Sequence, residues 1–396
     1  MADGLILVPG LFGFGSFGEK RPSAAISYFD RAIEVLIRNG FARGDIYVHE
    51  PPPTGSLASR VASLFEKVKS VVGERTAAKK DGKIHLVGHS TGGVDIRLLS
   101  NFSYQWPGVD TVLREQFVTD YVGSIVTISA PLYGTPIARN LFGLFGLLVD
   151  FLSIWNILDQ DVTRRQGPTL PAASATVLRL FGRWLSCNGP LLAFLAGMDD
   201  DTAREVALFR NRILSDTRCI RDLTPESMRA LNVFLAGHDH PNLKHVVTVA
   251  PPPRLAAFGD PLRSSIYALC YLATADEGFE PSDTPASHWF DERENLVGSC
   301  PTANDGVVPA TSQYLRPSPP SSSFNPVYVV LADHLDIVGH FEGKDNTTPF
   351  KSGAEFDRYH YEAVWKQIAS LMIPPSVTVP SICAGTGALW PIFSMP

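Results

Sequence analysis

The sequence predicts an α/β fold in which a mostly parallel central sheet carries helices on both faces. The first observation is an alternation of short apolar runs with amphipathic helical stretches between Gly4 and Ser129. The second is that the runs at 4–8 and 84–87 read as short buried strands, as in a parallel sheet covered on both faces. The third is the composition: 396 residues, of which 45% are hydrophobic, supply enough apolar side chains for a large core.

The strands are predicted where apolar runs end in turn residues. The first run stops at Pro9 and Gly10, and the second is closed by the three prolines at 51–53. Strands are expected at 4–8, 45–49, 84–87, 122–129, 243–250 and 327–331.

The helices are predicted from apolar spacing and from end signals. The helix predicted at 23–38 stops at Asn39 and Gly40, and the segment 224–232 starts with Thr224 as N-cap and Pro225 at its first position. Helices are expected at 23–38, 57–72, 92–103, 224–232 and 356–371, and the apolar segment 264–273 fits either type.

Composition excludes several classes of protein. The formal net charge of −6 and the absence of a Lys/Arg cluster give no footprint for nucleic acid or for an anionic membrane surface. Five cysteines without a CxxC pair indicate neither a disulfide framework nor a zinc site. The N-terminus shows no signal peptide. We therefore expect a cytoplasmic protein, the alternative being export by a route that needs no signal peptide.

The regular α/β rhythm breaks after residue 130. The segment 141–158 is apolar almost all round, with Asp150 as its single charge. It is at the lower length limit for a membrane span, about 17–25 residues. A buried core helix would also explain it. We favour an apolar lid over the active site that opens onto a lipid surface, because the segment interrupts the α/β pattern.

A candidate nucleophile lies between the third strand and the helix that follows it. The pentapeptide 88–92 reads Gly-His-Ser-Thr-Gly, a Gly-x-Ser-x-Gly frame centred on Ser90. A sharp strand-to-helix turn exposes such a serine at the carboxyl end of the sheet. The flanking Gly88 and Gly92 are required because a Cβ would strike the neighbouring strand and helix. The pentapeptide alone is moderately specific, and the strand before it and the helix after it strengthen it.

A serine hydroxyl needs a base, and the base needs an acid that fixes its tautomer. In this arrangement the acid and then the base follow the serine along the chain. The histidines after Ser90 are His238, His240, His245, His288, His334, His340 and His360. His334 is the best placed, because it follows the strand 327–331 closely. Asp305, in an Asn-Asp-Gly turn, is the candidate acid.

Backbone N–H groups would stabilise the developing negative charge on the substrate. We expect them from Thr91, directly after the nucleophile, and from Leu11 in the loop after the first strand. The spacing of His238 and His240 invites a metal site, but no third ligand is in view and an exposed loop explains it better. The glycines 13, 15 and 18 form a weak G-x-G-x-x-G match that lacks the acidic partner of a dinucleotide site.

These motifs together resemble the bacterial lipases of the true-lipase type. The motifs that carry the resemblance are Leu5–Gly13, Val87–Gly93, Ile128–Pro136, Asn304–Val308 and Asp333–Asp336. The likeness spans most of residues 4 to 345. It implies the α/β-hydrolase fold as a single domain over residues 1–396, with an inserted apolar lid or cap at 132–200 and a C-terminal tail at 374–396.

Carried over to this chain, the resemblance makes Ser90 the nucleophile, Asp305 the acid and His334 the base, with oxyanion donors at Leu11 and Thr91. No cofactor is required. The resemblance adds a structural calcium that Asp336 would ligate. Pro9 departs from the pattern, since the family usually has histidine there, but the departure removes no N–H group from Leu11.

The expected activity is hydrolysis of carboxylic esters, with medium- or long-chain acylglycerols as substrates because the lid segment is so apolar. Alternatives are depolymerisation of aliphatic polyesters of the polyhydroxyalkanoate kind, general carboxylesterase activity, acyl transfer to another alcohol and a binding scaffold without turnover. The expected partner is a small or aggregated ester or lipid. We expect no nucleic acid, no stable membrane insertion and at most transient contact with a lipid interface. The oligomeric state is not determined by the sequence.

Overall fold

The computed structural model describes residues 3–11, 13, 16–17, 26–29, 31–139, 212, 215–253, 261–275, 302–315, 327–341 and 350–372. Strands run over β1 (Gly4–Val8), β2 (Ser16–Phe17), β3 (Ile26–Ser27), β4 (Ile46–Val48), β5 (Ile84–His89), β6 (Val122–Ile128), β7 (Leu243–Val249) and β8 (Val327–Leu331). Helices run over α1 (Ala32–Arg38), α2 (Leu57–Ala77), α3 (Thr91–Ser100), α4 (Thr111–Tyr121), α5 (Arg218–Asp222), α6 (Pro225–Leu235), α7 (Pro261–Thr274) and α8 (Arg358–Ser370).

The central sheet has six parallel strands in the order β4-β1-β5-β6-β7-β8. The chain adds β4 on one side of β1 and then β5 and the later strands on its other side. β5, which leads into the Ser90 turn, therefore lies between β1 and β6. Parallel strands place all their carboxyl ends at one edge, so the loops that follow β1, β5, β7 and β8 meet there. The α/β-hydrolase fold is the architecture that results.

Two apolar layers cover the sheet, one on each face. On one face, Val61 and Leu64 of α2 and Val94 of α3 pack on Ile6 and Val8 of β1. All five side chains are fully buried. Each fully buried aliphatic side chain stabilises the fold by about 1.5–3 kcal/mol relative to an exposed one.

The opposite face carries α1 and α8. Leu36 of α1 and Trp365 of α8 belong to one cluster with Leu5 and Leu7 of β1. The Trp365 indole N–H donates a hydrogen bond to the carbonyl of Ile337 at 2.8 Å, so the ring is both buried and paired. The prediction that helices cover both faces of the sheet is therefore confirmed.

The helix predicted at 23–38 is wrong over its first part. Ile26–Ser27 pairs with Ser16–Phe17 in a two-stranded antiparallel sheet, and α1 begins only at Ala32. Arg31, just before α1, has a φ of 61°, a left-handed conformation that cannot continue a helix. Tyr28 donates and accepts hydrogen bonds near the carboxyl end of β5, which holds this segment away from a helical path.

Helix α4 has no counterpart among the predicted elements. Only Arg114 and Val118 are buried along its 11 residues, so no regular apolar stripe marks it in the sequence. The one helix signal in its sequence is Asp110, a residue type favoured at the N-cap. In the structure, the Asp110 carboxylate accepts a hydrogen bond from the N–H of Leu113 at 3.0 Å. The ambiguous segment 264–273 is helical, as part of α7.

The apolar segment 141–158, most of the predicted lid region 132–200 and the tail 374–396 lie outside the described residues. The described start of that region belongs to the core, where Leu132 and Ala138 are buried. Of the helices that the structure describes, none combines the length and the apolar character needed to cross a bilayer.

Candidate active site

Ser90 lies in the turn between β5 and α3, at the carboxyl edge of the sheet. Its backbone has φ 55° and ψ −128°, a conformation that non-glycine residues rarely adopt. The Ser90 N–H donates to the carbonyl of Ile128 at 2.8 Å, and the carbonyl of Ser90 accepts from the N–H of Gly93 at 2.9 Å. These two hydrogen bonds hold the strained backbone in place, so that the Ser90 side chain lies at the N-terminus of α3.

The two flanking glycines are required for the reason that the pentapeptide predicts. A Cβ on Gly92 would overlap the carbonyl of Val8 in the neighbouring strand β1. A Cβ on Gly88 would overlap the carbonyl of Gly92 at the start of α3. Strand and helix therefore approach each other too closely for any side chain at either position.

His334, in the loop after β8, meets Asp305, which lies between α7 and β8 in the chain and contacts Thr248 near the carboxyl end of β7. His334 Nδ1 lies 2.9 Å from Asp305 Oδ2, and the backbone N–H of His334 donates to the carbonyl of Asp305 at 2.9 Å. Both side chains are buried. The residue before Ser90 reaches the same place, since His89 Nε2 lies 2.9 Å from the carbonyl oxygen of His334. His334 therefore contacts the residue that precedes Ser90 and carries Asp305 with it to this edge of the sheet.

Asp305 is held by donors on both carboxylate oxygens. Its Oδ1 accepts hydrogen bonds from the N–H groups of Val307 and Val308 at 2.9 and 2.8 Å. Its Oδ2 accepts from the Thr248 hydroxyl at 2.7 Å and from the Gln313 amide at 3.3 Å, besides His334. Donors on both oxygens fix the plane of the carboxyl group and its orientation toward His334.

Thr248 and Gln313 are site residues that the sequence reasoning missed. The side-chain oxygen Oε1 of Gln313 accepts a hydrogen bond from the backbone N–H of Thr248 at 2.7 Å. The side-chain nitrogen Nε2 of Gln313 donates to the backbone carbonyl of Thr248 at 2.9 Å. Gln313 thus pairs with β7 as a neighbouring strand would, and its remaining donor capacity reaches Asp305. Neither residue stands in a motif, so no local signal in the sequence marks them.

The predicted oxyanion donors lie on either side of Ser90. Thr91 is the first residue of α3, where a backbone N–H has no carbonyl four residues earlier within the helix. Leu11 follows Gly10 in the loop after β1. A Cβ on Gly10 would lie 2.7 Å from Cβ of Ser90 and 3.1 Å from its hydroxyl, so this loop runs directly against the serine.

Arg60 fixes the loop after β1 by hydrogen bonds to its backbone carbonyls. Its guanidinium makes a bidentate pair with Asp95 of α3, from Nε to Oδ1 at 3.2 Å and from Nη2 to Oδ2 at 2.7 Å. The same Nη2 donates to the carbonyls of Pro9 and Gly10 at 3.0 and 3.3 Å. Because a trans peptide points its N–H opposite to its C=O, binding the Gly10 carbonyl turns the N–H of Leu11 away from Arg60.

The Arg60–Asp95 pair is fully buried, with neither side chain exposed. Burial opposes the charged guanidinium, but Asp95 beside it outweighs that effect and raises the pKa of Arg60 above its ordinary value. A planar fork that serves a carboxylate and the four backbone carbonyls of Pro9, Gly10, Pro52 and Pro53 cannot be replaced by lysine. Nothing in the sequence marks this pair, because Arg60 and Asp95 are far apart along the chain.

Replacing Arg60 by alanine is expected to lower the free energy of unfolding by about 3–5 kcal/mol, because it leaves the buried charge of Asp95 uncompensated. Urea denaturation of the purified variant measures this loss. The matched control is Arg38→Ala, which removes an exposed pair with Glu362 and is expected to cost less than about 1 kcal/mol. Equal losses in the two variants would contradict the role assigned to Arg60.

Asp336, the predicted calcium ligand, sits in a turn after His334. Its Oδ2 accepts the N–H of Asp333 at 2.8 Å, and Asp333 Oδ1 in turn accepts the N–H of Asp336 at 3.1 Å. Burial raises the pKa of Asp333 to about 6. Among the described residues, no group of three or more His, Cys, Asp or Glu side chains is arranged to hold a metal. The described carboxylates do not by themselves form a calcium site, and the calcium ligand stays a prediction.

The spacing of His238 and His240 does not bring two ligands together. His238 Nδ1 lies 3.0 Å from the carbonyl of Ala236, and His240 Nδ1 accepts the N–H of Asn242 at 3.2 Å. Nδ1 of each ring thus contacts the backbone of its own turn; His238 is exposed, as an exposed loop predicts, whereas His240 is buried.

No protein-family model and no curated protein matches the chain. Among solved structures, it is similar to EstA from Clostridium botulinum at 16% identity, covering 94% of this chain and 87% of that chain, with a TM-score of 0.49. It is also similar to lipase 1 from Pelosinus fermentans at 18% identity, covering 94% of this chain and 100% of that one, with a TM-score of 0.49. For the Staphylococcus hyicus lipase, the identity is 17%, the coverage is 93% of this chain and 94% of that one, and the TM-score is 0.46.

Proposed function

We propose that this protein hydrolyses carboxylic esters through an acyl-enzyme on Ser90. The observation that carries the proposal is the 2.9 Å contact between His334 and Asp305 beside a serine in a strained strand-to-helix turn. A nucleophile, a base within the same loop cluster and an acid that orients the base are the groups that acyl transfer needs.

The acid dictates which nitrogen of His334 carries the proton. The carboxylate of Asp305 only accepts hydrogen bonds, so Nδ1 of His334 must be the protonated nitrogen. This leaves Nε2 as the basic nitrogen. In the proposed reaction Nε2 takes the Ser90 proton while the serine oxygen bonds to the ester carbonyl carbon, and it then gives the proton to the leaving alcohol.

The second half of the proposed reaction repeats the same transfers with water. His334 Nε2 takes a proton from water as the water oxygen attacks the acyl carbon, and it returns that proton to Ser90 as the acid leaves. The N–H groups of Leu11 and Thr91 are the proposed donors to the carbonyl oxygen while it is negative. Each such donor contributes about 3–4 kcal/mol to the lowering of the barrier.

Medium- or long-chain acylglycerols are the proposed substrates. The support is the sequence of the segment 141–158, which follows β6 along the chain and is apolar almost throughout, the composition that a binding site for a long acyl chain requires. Aliphatic polyesters use the same reaction and are the competing substrate class.

A panel of p-nitrophenyl esters from acetate to palmitate tests this function. We expect kcat/KM to rise from the acetate to the medium-chain esters, and the rate on an emulsified ester to increase above its solubility limit. Highest activity on the acetate, with saturation across that limit, would instead identify a simple esterase. Hydrolysis of a polyester film tests the competing substrate class. The calcium prediction is tested with a chelator, since removal of a structural calcium would lower the melting temperature of the protein.

A further inference from the structure

A chain of hydrogen bonds links the loop after β1 to the backbone of His334. The N–H of Gly10 lies 2.9 Å from the hydroxyl oxygen of Tyr28, and that hydroxyl lies 2.7 Å from Nδ1 of His89. Nε2 of His89 lies 2.9 Å from the carbonyl oxygen of His334. The chain thus runs from the residue before Leu11, through the residue before Ser90, to His334.

The direction of every bond in this chain is determined. The carbonyl of His334 only accepts, so Nε2 of His89 must donate to it. Burial, with a smaller effect of His334 nearby, holds the pKa of His89 well below its ordinary value, so the ring is neutral and carries one proton. Nδ1 of His89 is therefore an acceptor, and the Tyr28 hydroxyl donates to it while accepting the N–H of Gly10.

The rings in this chain are also packed against one another. The His89 and His334 ring centroids are 4.7 Å apart, and those of Tyr28 and His89 are 5.7 Å apart. A Cβ on Gly10 would lie 2.8 Å from the Tyr28 hydroxyl and 3.1 Å from the Ser90 hydroxyl. Tyr28 therefore reaches the same small space as the nucleophile.

The loop after β1 is consequently held from two sides. Arg60 binds the carbonyls of Pro9 and Gly10, and Tyr28 binds the N–H of Gly10. The peptide that precedes Leu11 is thereby fixed in orientation. His89 ties this fixed loop to the catalytic histidine, although the second position of a Gly-x-Ser-x-Gly frame does not itself require a histidine.

We propose that Tyr28 and His89 are positioning residues. The chain of hydrogen bonds that they form from Gly10 to the His334 carbonyl, the relay, sets the orientation of the loop after β1 and of His334. The assignment of their effect to catalysis rests on the proposed ester hydrolysis. Neither residue exchanges a proton with the substrate. The relay keeps the Leu11 N–H and the His334 ring in the orientation that the reaction at Ser90 needs. Small displacements of such groups lower the rate strongly.

Three variants test the relay. Tyr28→Phe removes the hydroxyl, His89→Gln keeps a donor toward the His334 carbonyl but loses the acceptor for Tyr28, and His89→Asn does the reverse. We expect each to lower kcat roughly 10- to 100-fold with little change in KM. Rates are counted per active site, by titration with a fluorophosphonate. The control is Tyr47→Phe, a half-buried tyrosine on the edge strand β4, which should retain the wild-type kcat.

A double-mutant cycle distinguishes a relay from independent packing effects. In a relay, Tyr28→Phe combined with His89→Gln loses no more activity than the worse single variant. Losses that multiply, an unchanged kcat in Tyr28→Phe, or a lower melting temperature with unchanged kcat per titrated site would each overturn the proposal.

A spectroscopic measurement reads the relay without any turnover. The ¹⁵N signals of His89, identified by their loss in His89→Gln, should show a neutral ring protonated on Nε2 from about pH 5 to pH 8. A proton on Nδ1, or titration of the ring in that range, would overturn the relay. Wild-type protein that shows this tautomer but hydrolyses no ester would contradict the proposed function and leave the relay intact.

Discussion

Ser90→Ala is expected to lower kcat on p-nitrophenyl esters by about 10⁴- to 10⁶-fold, because no other nucleophile can form the acyl-enzyme. The fold should persist, since alanine removes only a hydroxyl and the flanking Gly88 and Gly92 still allow strand and helix to approach. Steady-state kinetics, together with urea denaturation of the same preparation, separates lost chemistry from lost structure.

The matched control for this variant is Ser100→Ala. Ser100 is a buried serine at the end of the same helix, α3, and its hydroxyl donates to the carbonyls of Ile96 and Arg97. We expect it to retain most of the wild-type activity. Ester hydrolysis retained in Ser90→Ala above about one hundredth of the wild-type rate would contradict the assignment of the nucleophile, because losing a nucleophile costs far more.

Asp305→Asn is expected to lower kcat by about 10⁴-fold through the wrong tautomer of His334. The N–H groups of Val307 and Val308 face the Oδ1 position, so the amide oxygen of asparagine must take that place. The amide nitrogen then faces Nδ1 of His334 and donates to it. His334 then carries its proton on Nε2. A protonated Nε2 can no longer accept the proton of Ser90.

The same substitution at Asp357 serves as the control. Asp357 is the N-cap of α8 and its carboxylate accepts the N–H of His360 at 3.0 Å. Asparagine caps helices about as well as aspartate, so Asp357→Asn should leave both stability and activity nearly unchanged. If Asp305→Asn loses less than about tenfold in kcat, Asp305 is not the acid that orients the base.

The strands of the sheet were predictable because each is short and rich in Val, Ile and Leu. Leu243–Val249 and Val327–Leu331 lie within one residue of their predicted ends. The turn at Ser90 was predictable for a second reason: its glycines are demanded by backbone overlap, a local requirement that leaves a local signature.

The segment before α1 and the helix α4 were not predictable from the same rules. Ile26–Ser27 is extended because it pairs with Ser16–Phe17 and because Tyr28 is bonded to Gly10 and His89. These contacts are tertiary, and they override a helical apolar spacing. For α4, a surface helix with few buried residues gives no stripe to read.

The groups that support the candidate site were not predictable at all. Arg60 with Asp95, and Gln313 with Thr248, act through partners that are remote along the chain. Arginine on an amphipathic helix is ordinarily solvated, so the sequence offered no reason to bury this one. Only the folded arrangement shows that Arg60 orders the loop that carries Leu11.

The central claim is that Ser90 is a nucleophile activated by His334, and covalent labelling tests it most directly. The protein is treated with a fluorophosphonate, digested and mapped by mass spectrometry, alongside Ser90→Ala and His334→Ala. We expect a single adduct on the peptide that contains Ser90, no adduct in Ser90→Ala, and slow labelling in His334→Ala. An adduct on another serine, or folded wild-type protein that does not label, would contradict it.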